Sequence, residues 1–247
     1  SARLKSDGTL DTTFEIGTGA SEQYRYMYGI SIQSDRKIII GGNFTSFNSD
    51  ENQRYISRLF NEETERVTNV PDNNFEQALI DLGYDDVLDG SVNTADINSI
   101  TSIELNGKNI SDLTGIEDFT SLTQLYVGNN LLTSLDVSKN INLINLNCKE
   151  NSLSELDVTK NIKLETLLCN DNSLSSLNLE NNIDLYQIWC FNNVIESLDL
   201  SNNLVLTKLA CNDNSLTSLN IKNGNNINLS ELYVSNNPNL NCIQVDD

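Results

Sequence analysis

The 247-residue chain contains no histidine at all. Without an imidazole there is no Ser-His-Asp or Cys-His nucleophile, no His-ligated zinc and no imidazole pH switch. Carboxylate-only catalysis stays open in principle, but it needs a concave pocket holding paired Asp or Glu. Proline is nearly absent, with two residues, and aromatic residues make up only 6% of the chain. Aliphatic side chains must therefore supply most of a core drawn from a hydrophobic content of 38%. Basic residues are scarce too: 15 Lys and Arg face 35 Asp and Glu, for a formal net charge of −20. A phosphate backbone is held by clustered Lys and Arg, so this balance argues against a nucleic-acid partner. We read the acidity as a source of solubility rather than as a set of Ca²⁺ ligands, since few carboxylates cluster at ligand spacing. No stretch approaches the roughly 20 apolar residues of a membrane span. The chain opens at Ser1 without a charged and then apolar leader, which reads as a soluble piece, processed or excised from something longer.

What the chain has in quantity is one repeated phrase. The segments LTQLYVGNNLLTSLDVSKNIN (122–142), LINLNCKENSLSELDVTKNIK (143–163), LETLLCNDNSLSSLNLENNID (164–184), LYQIWCFNNVIESLDLSNNLV (185–205) and LTKLACNDNSLTSLNIKNGNN (206–226) align without gaps, one every 21 residues. A divergent first turn begins at Ile100, and a last one begins at Leu229 after a two-residue insertion containing Gly224. The shared frame is L-x-x-L-x-[VC]-x-x-N-x-[LI]-x-x-L-x-[VLI]. Its first half reads as a strand, with Leu125 and Val127 inward on a period of two. Turns stacked on their neighbours would bury this aliphatic ladder as one continuous core. Asn130, Asn151, Asn172, Asn193 and Asn214 fall at the bend, where an amide can bond the backbone of adjacent turns.

This frame resembles the leucine-rich repeat, L-x-x-L-x-L-x-x-N-x-L, over about 100–247. The turns are most similar to those of secreted Bacteroidetes-type surface proteins, whose repeated phrase is kept here as TSLDVSKN (133–140). The resemblance implies a curved parallel solenoid of about seven turns whose strand face binds partners. It also implies export by the type IX pathway and a place outside the cell or at its surface.

Ahead of the repeats, VPDNNFEQALIDLGYDD (70–86) reads as a short amphipathic helix that lids the solenoid's open end. Asn73 and Glu76 are spaced as a capping box, Phe75, Leu79 and Leu82 share one face, and Gly83 is the stop. Residues 1–61 differ in kind, with strand-like alternations joined by Gly and Asp turns. Arg3, Leu4, Asp7, Gly8, Asp11, Phe14, Gln33, Asp35, Lys37, Ile38, Gly41, Gly42 and Phe44 match the delta-60 repeat, which this segment resembles. Arg36 stands where that motif prefers Gly, which predicts an altered hairpin turn. Arg58-Leu59 repeats Arg3-Leu4 and reads as the opening of a further unit. A propeller needs about 4–8 blades, so one unit leaves two readings: upstream blades, with further domains of the polypeptide, lie outside this chain, or the lone sheet packs on the solenoid end. The liability of unpaired edges favours the first. The expected organisation is a β repeat unit over 1–61, a linker and helical cap over 62–99, and the solenoid over 100–247, mainly β with a small α+β part.

Cys148, Cys169, Cys190 and Cys211 occupy one inward column, one per turn. Metal sites want C-x₂-C pairs, and none occurs. A disulfide between directly stacked parallel Cβ vectors is strained, so the ladder reads as small core filler. Cys242 lies off this column. Asp136, Asp157 and Asp199, interrupted by Asn178 and Asn220, read as a solvated convex face. DDVLDGSVNTAD (85–96) echoes an EF-hand loop through Asp85, Asp89, Gly90 and Asp96, but Val87 stands where an oxygen ligand belongs, so it reads as turn capping. No cofactor is expected.

The outward strand column between the two core positions runs Glu104, Tyr126, Asn147, Leu168, Trp189, Ala210, Tyr233. Tyr186 and Phe191 flank Trp189, the only Trp. If Ile188 and Cys190 point in, Trp189 and Phe191 point out. The expected ligand-binding face is Tyr126, Leu168, Tyr186, Gln187, Trp189, Phe191 and Tyr233, taking a protein or a glycan. The competing reading packs these rings on one another or on the preceding domain. On the first reading the chain is a non-catalytic recognition or adhesion module. On the second it is a stalk or spacer in a larger surface protein.

Overall fold

The computed structural model describes residues 66–247 throughout and, before them, the strand residues 26–32, 38–43 and 56–59. The chain divides into two compact units, Ser1–Glu65 and Arg66–Asp247. In the first, strands β1 (Tyr26–Ile32), β2 (Ile38–Asn43) and β3 (Ile56–Leu59) form an antiparallel sheet in that order. Gly41 and Gly42 lie in β2 opposite Gly29 and Met27, where the register shifts in a bulge. Glycine suits such a kink because it adds no Cβ to the bent backbone. Arg58-Leu59, expected to open a further unit, pairs instead with Ile39 and Ile38 as the third strand of this sheet. A dipeptide repeat alone does not distinguish a new blade from a closing strand. Arg3, Leu4, Asp7, Gly8, Asp11, Phe14, Gln33, Asp35, Arg36, Lys37 and Phe44 lie outside the described residues.

The second unit opens with strand β4 (Val67–Asn69), helix α1 (Asn73–Asp81), strand β5 (Ser91–Asn93) and the one-turn helix α2 (Thr94–Ile97), with β4 and β5 antiparallel. The lid helix forms, but not through the expected capping box. Asp72 is its N-cap: Oδ1 accepts from the Asn74 and Phe75 N–H groups at 2.9 and 3.0 Å. Its other oxygen accepts from the Ser111 N–H, the Ser111 hydroxyl and the Asp112 N–H at 2.8, 2.7 and 3.0 Å, which ties the lid to the first solenoid turn. Glu76 is fully buried, and its Oε1 accepts from the N–H groups of Asp89, Gly90 and Ser91. The chain after α1 turns through left-handed Gly83, with Gly83 N–H donating to Ile80 O and Tyr84 N–H to Leu79 O, the pairing that satisfies the last carbonyls of a helix. Phe75, Ala78 and Leu79 make the buried face, whereas Leu82 is exposed because the helix has already ended there. Phe75 stacks on Phe119 of the first turn with ring centroids 6.2 Å apart. Gly115 passes so close to the lid that a Cβ there would sit 2.7 Å from Asn69 O.

The repeats build two parallel sheets from β6 (Ser102–Glu104), β7 (Gln124–Tyr126), β8 (Asn145–Asn147), β9 (Thr166–Leu168), β10 (Gln187–Trp189), β11 (Ser197–Asp199), β12 (Lys208–Ala210), β13 (Ser218–Asn220), β14 (Glu231–Tyr233) and β15 (Ile243–Gln244). The seven-stranded sheet runs β6-β7-β8-β9-β10-β12-β14, and a three-stranded sheet on the opposite wall runs β11-β13-β15. Every pairing in both sheets joins equivalent positions of neighbouring turns, which makes a seven-turn leucine-rich-repeat solenoid. The core between them is the repeated Leu, Val, Ile and Cys set, continuous with the lid residues.

Two asparagine ladders hold the turns in register. At the bend, Asn172 Nδ2 donates to the carbonyls of Cys148 in the turn before and of Cys169 and Asn170 in its own, while Oδ1 accepts from Leu153 N–H. Asn151, Asn193, Asn214 and Asn237 repeat this pattern. A second ladder escaped the frame read from sequence: Asn140, Asn161, Asn182 and Asn203 are fully buried, and Asn161, Asn182 and Asn203 each donate to the carbonyl of the ladder residue one turn earlier. Its signal was the Asn at the nineteenth position of the first four 21-residue phrases, which a reading centred on hydrophobic columns passes over.

Candidate functional site

The period-two alternation of the strands sorts the side chains. Ile188 and Cys190 are fully buried, and Trp189 between them is half-exposed on the concave face. Register then stacks the outward residues rung by rung. Tyr126, Asn147, Leu168, Trp189, Ala210 and Tyr233 are successive partners in one column, and Gln124, Asn145, Thr166, Gln187, Lys208 and Glu231 in the next. Parallel rungs lie about 4.8 Å apart.

Of the seven expected residues, five come together. Tyr186, Gln187, Trp189 and Phe191 share one turn and Leu168 is the neighbouring rung. Tyr186 is 39% exposed, while Gln187, Trp189, Phe191 and Leu168 are half-buried. Tyr233 is 57% exposed and stands two rungs from Trp189, with Ala210 between them. Ala210 faces outward yet is only 4% exposed, as expected for a methyl walled by large residues on both neighbouring rungs. Trp189 and Tyr233 thus stand two rungs, about 10 Å, apart in one column, with the covered Ala210 methyl between them. Tyr126 is three rungs from Trp189, beyond Asn147 and Leu168, and stands apart from this group.

The rim of the face is polar. Residues following each strand adopt a left-handed backbone at Asn129, Glu150, Asp171, Asn192, Asp213 and Asn236, with φ between 52° and 58°. Asn and Asp tolerate that region better than most side chains. They also link along the ladder: Asn192 Nδ2 donates to Asp171 Oδ1, and Asn236 Nδ2 donates to Asp213 Oδ1 at 2.6 Å. Donors from Asn212 and Asn236 hold the Asp213 carboxyl below its ordinary range. In the neighbouring column, Lys208 Nζ meets Glu231 Oε1 on the next rung at 2.9 Å, and the hydrogen bond and charge of Glu231 raise the lysine further. Both ends of this pair are partly exposed, so it orients the rim more than it stabilises the fold.

The other candidate chemistry is spent internally. Cys148, Cys169, Cys190 and Cys211 are free and fully buried. Burial pushes the Cys148 and Cys211 thiols up to about 12, so no thiolate is presented. Asp85 Oδ1 accepts from Asp86 N–H, and Asp89 Oδ1 accepts from the N–H and hydroxyl of Ser91, as turn caps do. Asp136, Asp157 and Asp199 each accept from the N–H two residues on, on the exposed convex side. Glu104 and Glu231 lie at opposite ends of the seven-stranded sheet. Among the described residues no three His, Cys, Asp or Glu side chains group as metal ligands, and no helix is long and apolar enough to cross a membrane.

Fold and face together define a leucine-rich-repeat solenoid with an aromatic cluster on its concave sheet. Solved structures share that fold. A leucine-rich-repeat protein of Leptospira interrogans, LIC12759, is similar over 59% of this chain and 42% of its own, at 21% identity and a TM-score of 0.50. The internalin InlF of Listeria monocytogenes matches over 71% of this chain and 63% of its own, at 18% identity and a TM-score of 0.50. Internalin C2 of the same organism matches over 72% and 97%, at 17% identity and a TM-score of 0.50. The chain thus spans less than two thirds of the first two. In the first unit, residues 2–14 and 33–62 match the family described as "Domain of unknown function (DUF5122) beta-propeller". No curated protein matches the chain.

Proposed function

We propose that the chain is a non-catalytic recognition module, acting outside the cell or at its surface, that binds a protein or a glycan through the concave face centred on Trp189. The observation that carries this reading is the aromatic group on the concave sheet, with Trp189 and Tyr233 on either side of the covered Ala210, Tyr186 and Phe191 beside Trp189, and amide and carboxylate groups along the rim. Flat, half-exposed rings held on a hydrogen-bonded sheet have lost most of their freedom before any ligand arrives. They can stack on a sugar ring or anchor a protein contact at low entropic cost. Such a site needs no turnover chemistry, and the lack of histidine and the burial of the cysteine ladder both fit that.

The test is a screen of the purified chain against glycan and extracellular-protein arrays, followed by Trp189→Ala on any hit. Binding should fall at least tenfold, on the scale of a hot-spot residue, while the circular-dichroism melt stays within about 1–2 °C of the parent. Unchanged binding by the variant would remove the face from consideration. The stalk reading makes the opposite forecast: no hit for the isolated chain under any condition.

A further inference from the structure

The residue after each fully buried ladder asparagine points away from the core. In four consecutive turns it is a large aliphatic: Ile141, Ile162, Ile183 and Leu204, exposed by 55%, 55%, 50% and 55%. The equivalent residues in the adjoining turns are Thr120 and, after Asn223, which takes the ladder bond to Asn203 O, Gly224, so the stripe begins and ends within the solenoid. At one rung per turn it is about 14 Å long. It occupies the bends before the concave strands and shares no column with Trp189. Isolated exposed aliphatics are ordinary, but an uninterrupted row of them in an otherwise acidic protein marks a contact surface.

Charge along the stripe is not uniform. Lys139, Lys160 and Lys163 flank its first two rungs, whereas Glu180 and Asp184 flank the third. All five are exposed. Lys163 and Asp184 occupy the same column, one turn apart. A two-fold axis across the stripe, between the Ile162 and Ile183 rungs, lays one copy antiparallel on another. Ile162 then meets Ile183 of the second copy, Ile141 meets its Leu204, and Lys163 meets its Asp184, each contact made twice. The outer pair Asn142 and Val205 is neutral in this arrangement. The alternative axis, along the stripe, keeps turns in the same order and brings Lys160 and Lys163 of one copy against those of the other. An anionic membrane is disfavoured by the net charge of −20. A row of aliphatics at constant rung spacing is matched knob for knob by a surface with the same spacing, and a second copy of this solenoid has it by construction.

We propose that Ile141, Ile162, Ile183 and Leu204 form the centre of an antiparallel, two-fold contact between two copies of this chain, with Lys163 and Asp184 pairing across it. The stripe is narrower than the ~800 Å² per partner of a standard interface, so the dimer is weak and salt-sensitive, with a Kd on the order of micromolar.

Sedimentation equilibrium of the whole chain, from micromolar to several hundred micromolar, tests the contact. The parent chain should pass from monomer to dimer, and Ile162→Asp with Ile183→Asp should leave it monomeric with an unchanged melt. Lys163→Glu should weaken dimerisation about tenfold or more, and adding Asp184→Lys to it should restore most of the loss. A chain that stays monomeric across this range overturns the proposal. So does a dimer indifferent to the two aspartate substitutions, or a charge swap that fails to rescue, since either places the contact elsewhere or in another register. Capture by glycan or protein arrays depends on Trp189 and not on these residues, so failure here leaves the concave-face reading standing.

Discussion

At the residue scale the bend asparagines matter more than their size suggests. Asn172 supplies three donor contacts and one acceptor contact to backbone groups of two turns; the Cys148, Cys169 and Asn170 carbonyls also accept from Asn151 Nδ2, Asn193 Nδ2 and Glu150 N–H, whereas the Leu153 N–H donates to Asn172 Oδ1. Removing it leaves the Leu153 N–H without that acceptor and takes one donor from each carbonyl, and a buried polar group left unpaired costs about 1–3 kcal/mol. We expect Asn172→Ala to destabilise the solenoid by roughly 1–3 kcal/mol in urea unfolding. Asn172→Asp should be nearly as harmful, because a carboxylate cannot donate to the Cys148, Cys169 and Asn170 carbonyls. A loss below about 0.5 kcal/mol for both would show that the ladder is not what holds register. Trp189→Ala is the functional counterpart. Its side chain is half outside the core, so its deletion should be felt in binding rather than in folding.

At the element scale one carboxylate serves both the lid and the first turn. Asp72 caps α1 with one oxygen and grips Ser111 and Asp112 with the other. Partial burial works against its ionised form, but the donors from Ser111, Phe75 and Asp112 together outweigh that and leave its pKa lowered. Loss of an N-cap alone costs about 1 kcal/mol, and here a second set of bonds goes with it. Asp72→Ala should therefore cost about 2–3 kcal/mol and raise hydrogen exchange first in residues 73–97. Equal exchange changes along all seven turns would indicate that the lid is not a separate first-opening element. The helix itself was legible from the spacing of Phe75 and Leu79 and from Gly83. Its cap was not, because Asp72, Asn73 and Asn74 are all good capping residues and only the position of Ser111 selects among them.

At the scale of the whole molecule the repeats add their effects. The carboxyls of Asp136 and Asp199 are held below their ordinary range by the N–H groups of Ser138 and Ser201, and that of Asp157 by the hydroxyl of Thr159. A carboxyl with a lowered folded-state pKa stabilises the fold above its unfolded value and loses that contribution as pH falls through the folded one. Asp85, raised chiefly by burial and then by Glu76, acts in the opposite sense but is a single group. The melting temperature should thus fall as pH drops below about 4 and be flat from about pH 5 to 8. A melt that rises between pH 4 and pH 3 would mean that relief of repulsion among the 35 acidic residues dominates instead.

Period, turn count and inward columns followed from the sequence alone, because a solenoid makes only nearest-neighbour contacts and writes each one once per repeat. The inward cysteines and bend asparagines were legible for the same reason. What the tertiary structure decided was everything that depends on two elements meeting outside the repeat. Arg58-Leu59 closes a sheet rather than opening a new unit, and Glu76 serves a loop 13 residues on instead of its own helix. The concave group drew in Tyr233 across the small residue Ala210 and left Tyr126 three rungs away. The row from Ile141 to Leu204 shows as a surface only when the asparagine before each is seen to turn inward. Spacing along the chain encodes which rung a side chain occupies, while stacking, burial and the neighbour on the next rung determine what it can touch.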